Sequence, residues 1–138
     1  MPSLILPPAL RPGDTVAVIA PSSPFEHVLA RVGLGWLAQR YRVLFDTGVG
    51  PPLAGDSRTG GEPSLSAPSS RGLFARTGYL AGSDARRMDE LARALSHPDV
   101  RAIFAARGGY GANRFVHRID WSVLAERPRW IVGFSDVT

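Results

Sequence analysis

The run Thr15-Val16-Ala17-Val18-Ile19-Ala20 constrains the fold more than any other segment. A strand that is apolar at consecutive positions has no face to offer water and needs cover on both sides, which the parallel sheets of α/β proteins provide. The order of the remaining segments agrees with this. A helix opens at Ser23-Pro24-Phe25-Glu26, strands are expected at 42–46, 102–106 and 130–133, and a second helix runs from Ser83 or Asp84 to the stop at Pro98. A further short helix is expected near Asp120 or Ser122. Strands alternating with helices predict an α/β fold, a parallel sheet flanked by helices.

Local signals refine the two long helices. Ser23 and Glu26 have the spacing of a capping box with Pro24 at the first helical position, and Val28, Leu29, Val32 and Leu37 are expected to face the sheet. In the second helix Met88, Leu91, Ala92 and Leu95 fall at core spacing, while Asp89-Glu90 reads as a solvated face because adjacent helical residues point apart. His97 then lies where a cation would favour the helix dipole. Residues 48–76 are rich in Gly, Pro and Ser, with Pro51-Pro52 and Gly60-Gly61. So few apolar residues predict a disordered insertion, cut first at Arg58, Arg71 or Arg76 in limited proteolysis.

Composition excludes several functions. A chain of 138 residues is long enough for one domain with a real core. Without cysteine there is no disulfide framework and no thiolate metal site, and no H-E-x-x-H spacing occurs, so no metal is expected. The net charge of +4 comes entirely from scattered arginines, of which only Arg86 and Arg87 are adjacent. A nucleic-acid footprint would concentrate them on one face, so no nucleic acid is expected as a partner. The start, Met1 to Pro8, lacks a basic region and breaks its apolar run with prolines. Neither signal peptide nor membrane helix is expected, and cytoplasmic is the default location.

Two glycine-bearing turns carry the chemistry. The last strand runs into Gly133-Phe134-Ser135-Asp136, and a strand ending in a tight turn is how several hydrolases hold a serine nucleophile clear of the backbone. Ser and Asp there also suit a plain helix N-cap, and Val137 replaces the second glycine of the G-x-S-x-G elbow. The earlier strand runs into Arg107-Gly108-Gly109-Tyr110-Gly111-Ala112-Asn113-Arg114. Glycines at a strand-to-helix turn bring N–H groups to a phosphate, a carboxylate or the oxyanion of a tetrahedral intermediate. Arg107 and Arg114 flank the turn and suit a substrate carboxylate, with surface salt bridges as the alternative. His27, His97 and His117 are the only imidazoles, and none is well placed to activate Ser135.

Four segments in order, residues 10–23, Gly78-Tyr79-Leu80-Ala81-Gly82-Ser83-Asp84, Arg107-Gly108-Gly109-Tyr110-Gly111 and Gly133-Phe134-Ser135-Asp136, resemble the motifs of the LD-carboxypeptidase family. These are serine peptidases that include murein tetrapeptide carboxypeptidases and microcin C immunity peptidases. The resemblance implies a flavodoxin-like or class I glutamine amidotransferase-like amino-terminal domain over 1–138, with a β-rich second domain outside the chain. It implies Ser135 as nucleophile and the N–H groups of Gly109 and Asp136 as oxyanion donors; beside these, Gly108, Tyr110, Arg107 and Arg114 are expected as substrate contacts. Its glutamate and histidine would come from the second domain, so the chain alone is expected to be inactive. Murein peptide as substrate, no cofactor, a role in peptidoglycan recycling and a homodimeric full-length form follow from the same resemblance. A microcin C-type immunity peptidase, a non-catalytic anion- or nucleotide-binding module and an inert truncated product are the alternatives. The two glycine turns are expected side by side, at the carboxyl ends of neighbouring strands.

Overall fold

The computed structural model describes residues 5–47 and 72–138. Within them the chain forms β1 (Thr15–Ile19), α1 (His27–Ala38), β2 (Arg42–Phe45), α2 (Asp84–Ser96), β3 (Val100–Ala105), α3 (Val123–Glu126) and β4 (Trp130–Val132), with short 3-10 turns between. The four strands make one parallel sheet in the order β2-β1-β3-β4. Ala17 stands opposite both Leu44 and Ile103, and Phe104 opposite Val132. Because every strand runs the same way, the loops that follow them emerge at one edge.

Strand alternation sorts the core into two layers. On one face Ala17, Ile19 and Ile103 pack with Leu91, Ala94 and Leu95 of α2 and with Phe115. On the other, Val18 and Ala20 pack with Leu34, Phe45 and Leu73. Both faces of β1 are thus covered, as its apolar sequence requires. Full burial of each Leu, Ile or Phe is worth roughly 1.5–3 kcal/mol, so these layers carry most of the stability.

Several local expectations are corrected. The capping box does not form: α1 begins at His27 with Glu26 at the N-cap and no side-chain cap bond, because Ser23 Oγ is engaged elsewhere, accepting from Tyr110 N at 3.3 Å. Of the α1 residues assigned to the sheet, Val28, Leu29 and Val32 are exposed and only Leu37 is partly buried against the core; Leu34, not among them, is the buried one. His27 stacks on Phe74 at 4.4 Å. His97 stands at the α2 C-cap, where its backbone N–H donates to Arg93 O at 3.0 Å and its Nδ1 accepts from Asp99 N at 3.2 Å. Most of the 48–76 segment, with Arg58 and Arg71, lies outside the described residues. Its end does not behave as a loose insertion: Gly72–Phe74 is a 3-10 turn, with Leu73 buried and Leu73 N donating to Asp46 O at 2.7 Å.

The path from β3 to β4 also differs. Where a helix was expected after the glycine turn, the chain makes two 3-10 turns, Ala112–Arg114 and Val116–Arg118, before α3. No helix dipole stands behind the glycines, and any anion binding there rests on individual N–H groups. Asp120 starts α3 by accepting from both Ser122 N and Ser122 Oγ. These two bonds hold its carboxyl below the usual carboxylate range. Arg129, buried before β4, donates to Ala94 O at 2.9 Å and fastens the end of the crossover to α2.

Candidate functional site

The loops after β1, β3 and β4 converge at the carboxyl edge of the sheet. Three residues past the end of β4 stands Ser135, whose φ of +60° is the one left-handed conformation of a non-glycine residue among those described. Such a conformation costs on the order of 1–3 kcal/mol and persists only where its surroundings enforce it. The chain enters it from extended Phe134 and leaves through a 3-10 turn, Ser135–Val137, closed by Thr138 N and Thr138 Oγ1 on Ser135 O. Ser135 is exposed.

The glycine turn lies directly against it. A Cβ on buried Gly108 would stand 2.6 Å from Phe134 O, 2.9 Å from Ser135 Cβ and 3.5 Å from Asp136 N. Only glycine permits this approach. Gly109 has φ +108°, and a Cβ there would overlap Ser23 Oγ at 2.1 Å. The sequence-based expectation that the two turns are neighbours on adjacent parallel strands therefore holds in the geometry. Gly109 N–H donates to no acceptor among the described residues.

Four residues to which the sequence reading assigned no part in the site, Ser22, Ser23, Arg87 and Glu90, hold this arrangement. Ser23 N donates to Gly108 O at 3.2 Å and Ser22 O accepts from Ala81 N at 2.9 Å, so the β1 loop is laced to both neighbours. Arg87, fully buried on α2, donates to Pro21 O at 2.9 Å and Gly111 O at 2.7 Å, pairs with Asp84, and lies over the Phe115 ring. Burial pulls its pKa below the ordinary arginine value, Asp84 opposes this, and Arg114 and Arg86 add to it. Glu90, also fully buried, accepts from Ala20 N at 2.9 Å and pairs with Arg86 at 2.7 Å. Burial pushes its carboxyl up to about 7 against the pull of Arg86 and the Ala20 N–H. The solvated face read for Asp89-Glu90 is thus half wrong: Asp89 is exposed and Glu90 is not. A signal was present, because Arg87, Leu91 and Ala94 share one helical face, with Glu90 beside them.

The remaining candidate residues border the site. Tyr110 is exposed and its ring meets that of Tyr79 at 6.0 Å. Arg107 donates to Pro24 O at 2.8 Å. Arg114 Nε donates to both Asp84 oxygens at 2.9 Å, and this bond raises the arginine's pKa. Among the described residues no imidazole is hydrogen-bonded to Ser135 and no cluster of His, Asp and Glu could hold a metal. No described helix is long and apolar enough to cross a membrane.

A strained serine turn packed on a glycine turn, at the carboxyl edge of a parallel sheet, places the chain among α/β proteins whose sites form where loops meet beyond the strand ends. The chain belongs to the LD-carboxypeptidase family: residues 16–138 match the family's amino-terminal domain. It is 32% identical to a protein of Synechocystis sp. provisionally named a carboxypeptidase, over 99% of this chain and 38% of that protein. It is 41% identical to the murein tetrapeptide carboxypeptidase of Pseudomonas aeruginosa, over 49% of this chain and 22% of that protein. The crystal structure of an MccF-like protein from Bacillus anthracis superposes with a TM-score of 0.70 at 22% identity, covering 97% of this chain and 35% of that one, a likeness of fold. The chain thus spans little more than a third of the curated relatives that it matches end to end.

Proposed function

We propose that this chain is the nucleophile-bearing portion of a serine-type LD-carboxypeptidase that removes the terminal D-amino acid of murein tetrapeptides. The observation that carries the reading is Ser135, exposed and held at φ +60° against the Gly108 turn. Ser135 Oγ attacks the carbonyl of the bond to the terminal D-residue while its proton passes to a histidine supplied from outside this chain. Gly109 N–H and Asp136 N–H hold the oxyanion, the type of electrostatic stabilisation that dominates acyl transfer. The D-amino acid leaves with the proton returned by the histidine, and water then cleaves the acyl-serine ester. Gly108, Tyr110 and Arg107 line the approach, and the terminal nitrogens of Arg114 are left for a substrate carboxylate. The family membership and the name of the Pseudomonas relative support the substrate class.

The test is release of D-alanine from a murein tetrapeptide. The 138-residue chain alone should leave the peptide intact, since a serine without its base keeps little activity. Supplied with the carboxyl-terminal portion of a family member, it should release D-alanine, and Ser135→Ala should abolish this. Release that survives Ser135→Ala, or a preference for a peptidyl-nucleotide over the murein peptide, would overturn the assignment.

A further inference from the structure

The carboxylate of Asp136 has no part in the chemistry above, where its backbone N–H alone was used. One of its oxygens, Oδ2, accepts from Ser22 Oγ at 2.7 Å and from Ala112 N at 2.8 Å. Ser22 is fully buried in the loop after β1, Ala112 is buried after the glycine turn of β3, and Asp136 follows β4. A single atom therefore ties together the loops of three neighbouring strands.

We propose that the Asp136 carboxylate is the positioning group of the Ser135 turn, holding the strained serine and the glycine turn in register with the β1 loop. Ser135 has little else to enforce its conformation from the carboxyl side. The bond from Val137 N to Phe134 O is long, at 3.4 Å, and Thr138 closes only on Ser135 O. A side chain anchored on two separate loops, at the residue immediately after the serine, supplies the over-determination that a strained residue needs. The same bond satisfies Ala112 N, the first N–H of a 3-10 turn, which has no acceptor within its own turn.

Both bonds end on the same oxygen, so the position requires one acceptor and not a charge. Asparagine meets that requirement and alanine does not. A role for the negative charge, for example in the field that Asp136 contributes at Arg87, would instead be lost in both variants. The catalytic meaning of the proposal rests on the reading of Ser135 as nucleophile; the tether itself does not.

Amide hydrogen exchange on the 138-residue chain separates the cases. In Asp136→Ala, protection of the Ala112 amide should fall at least about tenfold, as loss of one buried hydrogen bond implies. In Asp136→Asn it should stay within a few-fold of the parent, and amides of β1 and β3 such as Ala17 and Ile103 should be unchanged in both. Should Asp136→Ala fail to fold, Ser22→Ala removes the partner bond and should lower Ala112 protection alone. Unchanged protection at Ala112, equal loss in Asn and Ala, or a uniform drop across the sheet would overturn the proposal. In the complemented peptidase Asp136→Ala should lower kcat with KM little changed, and Asp136→Asn should restore it. If the exchange pattern appears while the parent releases no D-alanine, the tether stands and the peptidase reading falls.

Discussion

Helix α1 carries Arg31 as its one fully charged side chain, yet it exposes Val28, Leu29, Val32 and Trp36 and buries only Leu34. Helix α2 carries Asp84, Arg86, Arg87, Asp89, Glu90 and Arg93, yet it buries Arg87 and Glu90 completely beside Leu91, Ala94 and Leu95. The apolar helix is the wet one and the charged helix is the dry one. Hydrophobicity alone does not produce this inversion, but hydrogen bonding at the sheet edge does. Burying a charge is costly unless it is paired and its donors or acceptors are filled. Arg87 and Glu90 are buried where Pro21 O, Gly111 O and Ala20 N need partners that no strand supplies. The charged groups of α2 therefore fix the loops that carry the candidate site, while α1 mainly covers the β1–β2 side through Leu34.

The strongest way to break this comparison is Arg87→Met, which keeps much of the side chain's volume and removes its donors. Pro21 O and Gly111 O would be left buried without this donor and Asp84 would keep only Arg114, so unfolding stability should fall by roughly 2–5 kcal/mol. Arg87→Lys should recover little, because one ammonium cannot reproduce the fork that spans both carbonyls. Chemical denaturation measures both. A Met variant as stable as the parent would mean that the buried charge is dispensable and that α2 is held by Leu91 and Leu95 alone.

Glu90→Gln sharpens the comparison through pH. The Glu90 carboxyl is raised to about 7 in the fold from an ordinary value near 4.5, so the folded state binds the proton more tightly than the unfolded chain does. Its contribution to stability is full below about pH 4.5 and is lost as pH rises through about 7. The parent's unfolding free energy should therefore decline across that window relative to the glutamine variant, whose profile lacks this component. Parallel profiles would show that Arg86 keeps Glu90 ionised throughout.

How much of this was legible in the sequence follows from the same physics. The parallel sheet was, because the six consecutive residues from Thr15 to Ala20 have no water-facing side. The adjacency of the two turns was, because a crossover between parallel strands delivers both loops to one edge. Ser23 was misread because a hydroxyl before Pro24 satisfies a local capping pattern as well as it does the distant Tyr110 N–H. Glu90 and Arg87 were missed because charge argues for exposure until the carbonyls and N–H groups that receive it are known. The α1 stripe was assigned to the core because apolar spacing reports which residues share a face, not what lies opposite that face.

That last point sets the smallest expected effect. Val32 is 69% exposed in the middle of the α1 stripe, so Val32→Ser removes almost no buried area and should change stability by no more than about 0.5 kcal/mol. Leu95→Ala on α2 deletes a fully buried side chain against Ile103 and Phe115 and should cost about 2–5 kcal/mol. Thermal or denaturant unfolding of the pair at two protein concentrations tests both halves of the contrast. If Val32→Ser costs as much as Leu95→Ala, and the loss shrinks on dilution, the α1 stripe is covered in solution by a second copy of the chain. The apolar helix would then be dry after all. A large loss independent of concentration would place the cover within the chain itself, and the two helices would differ only in what buries them.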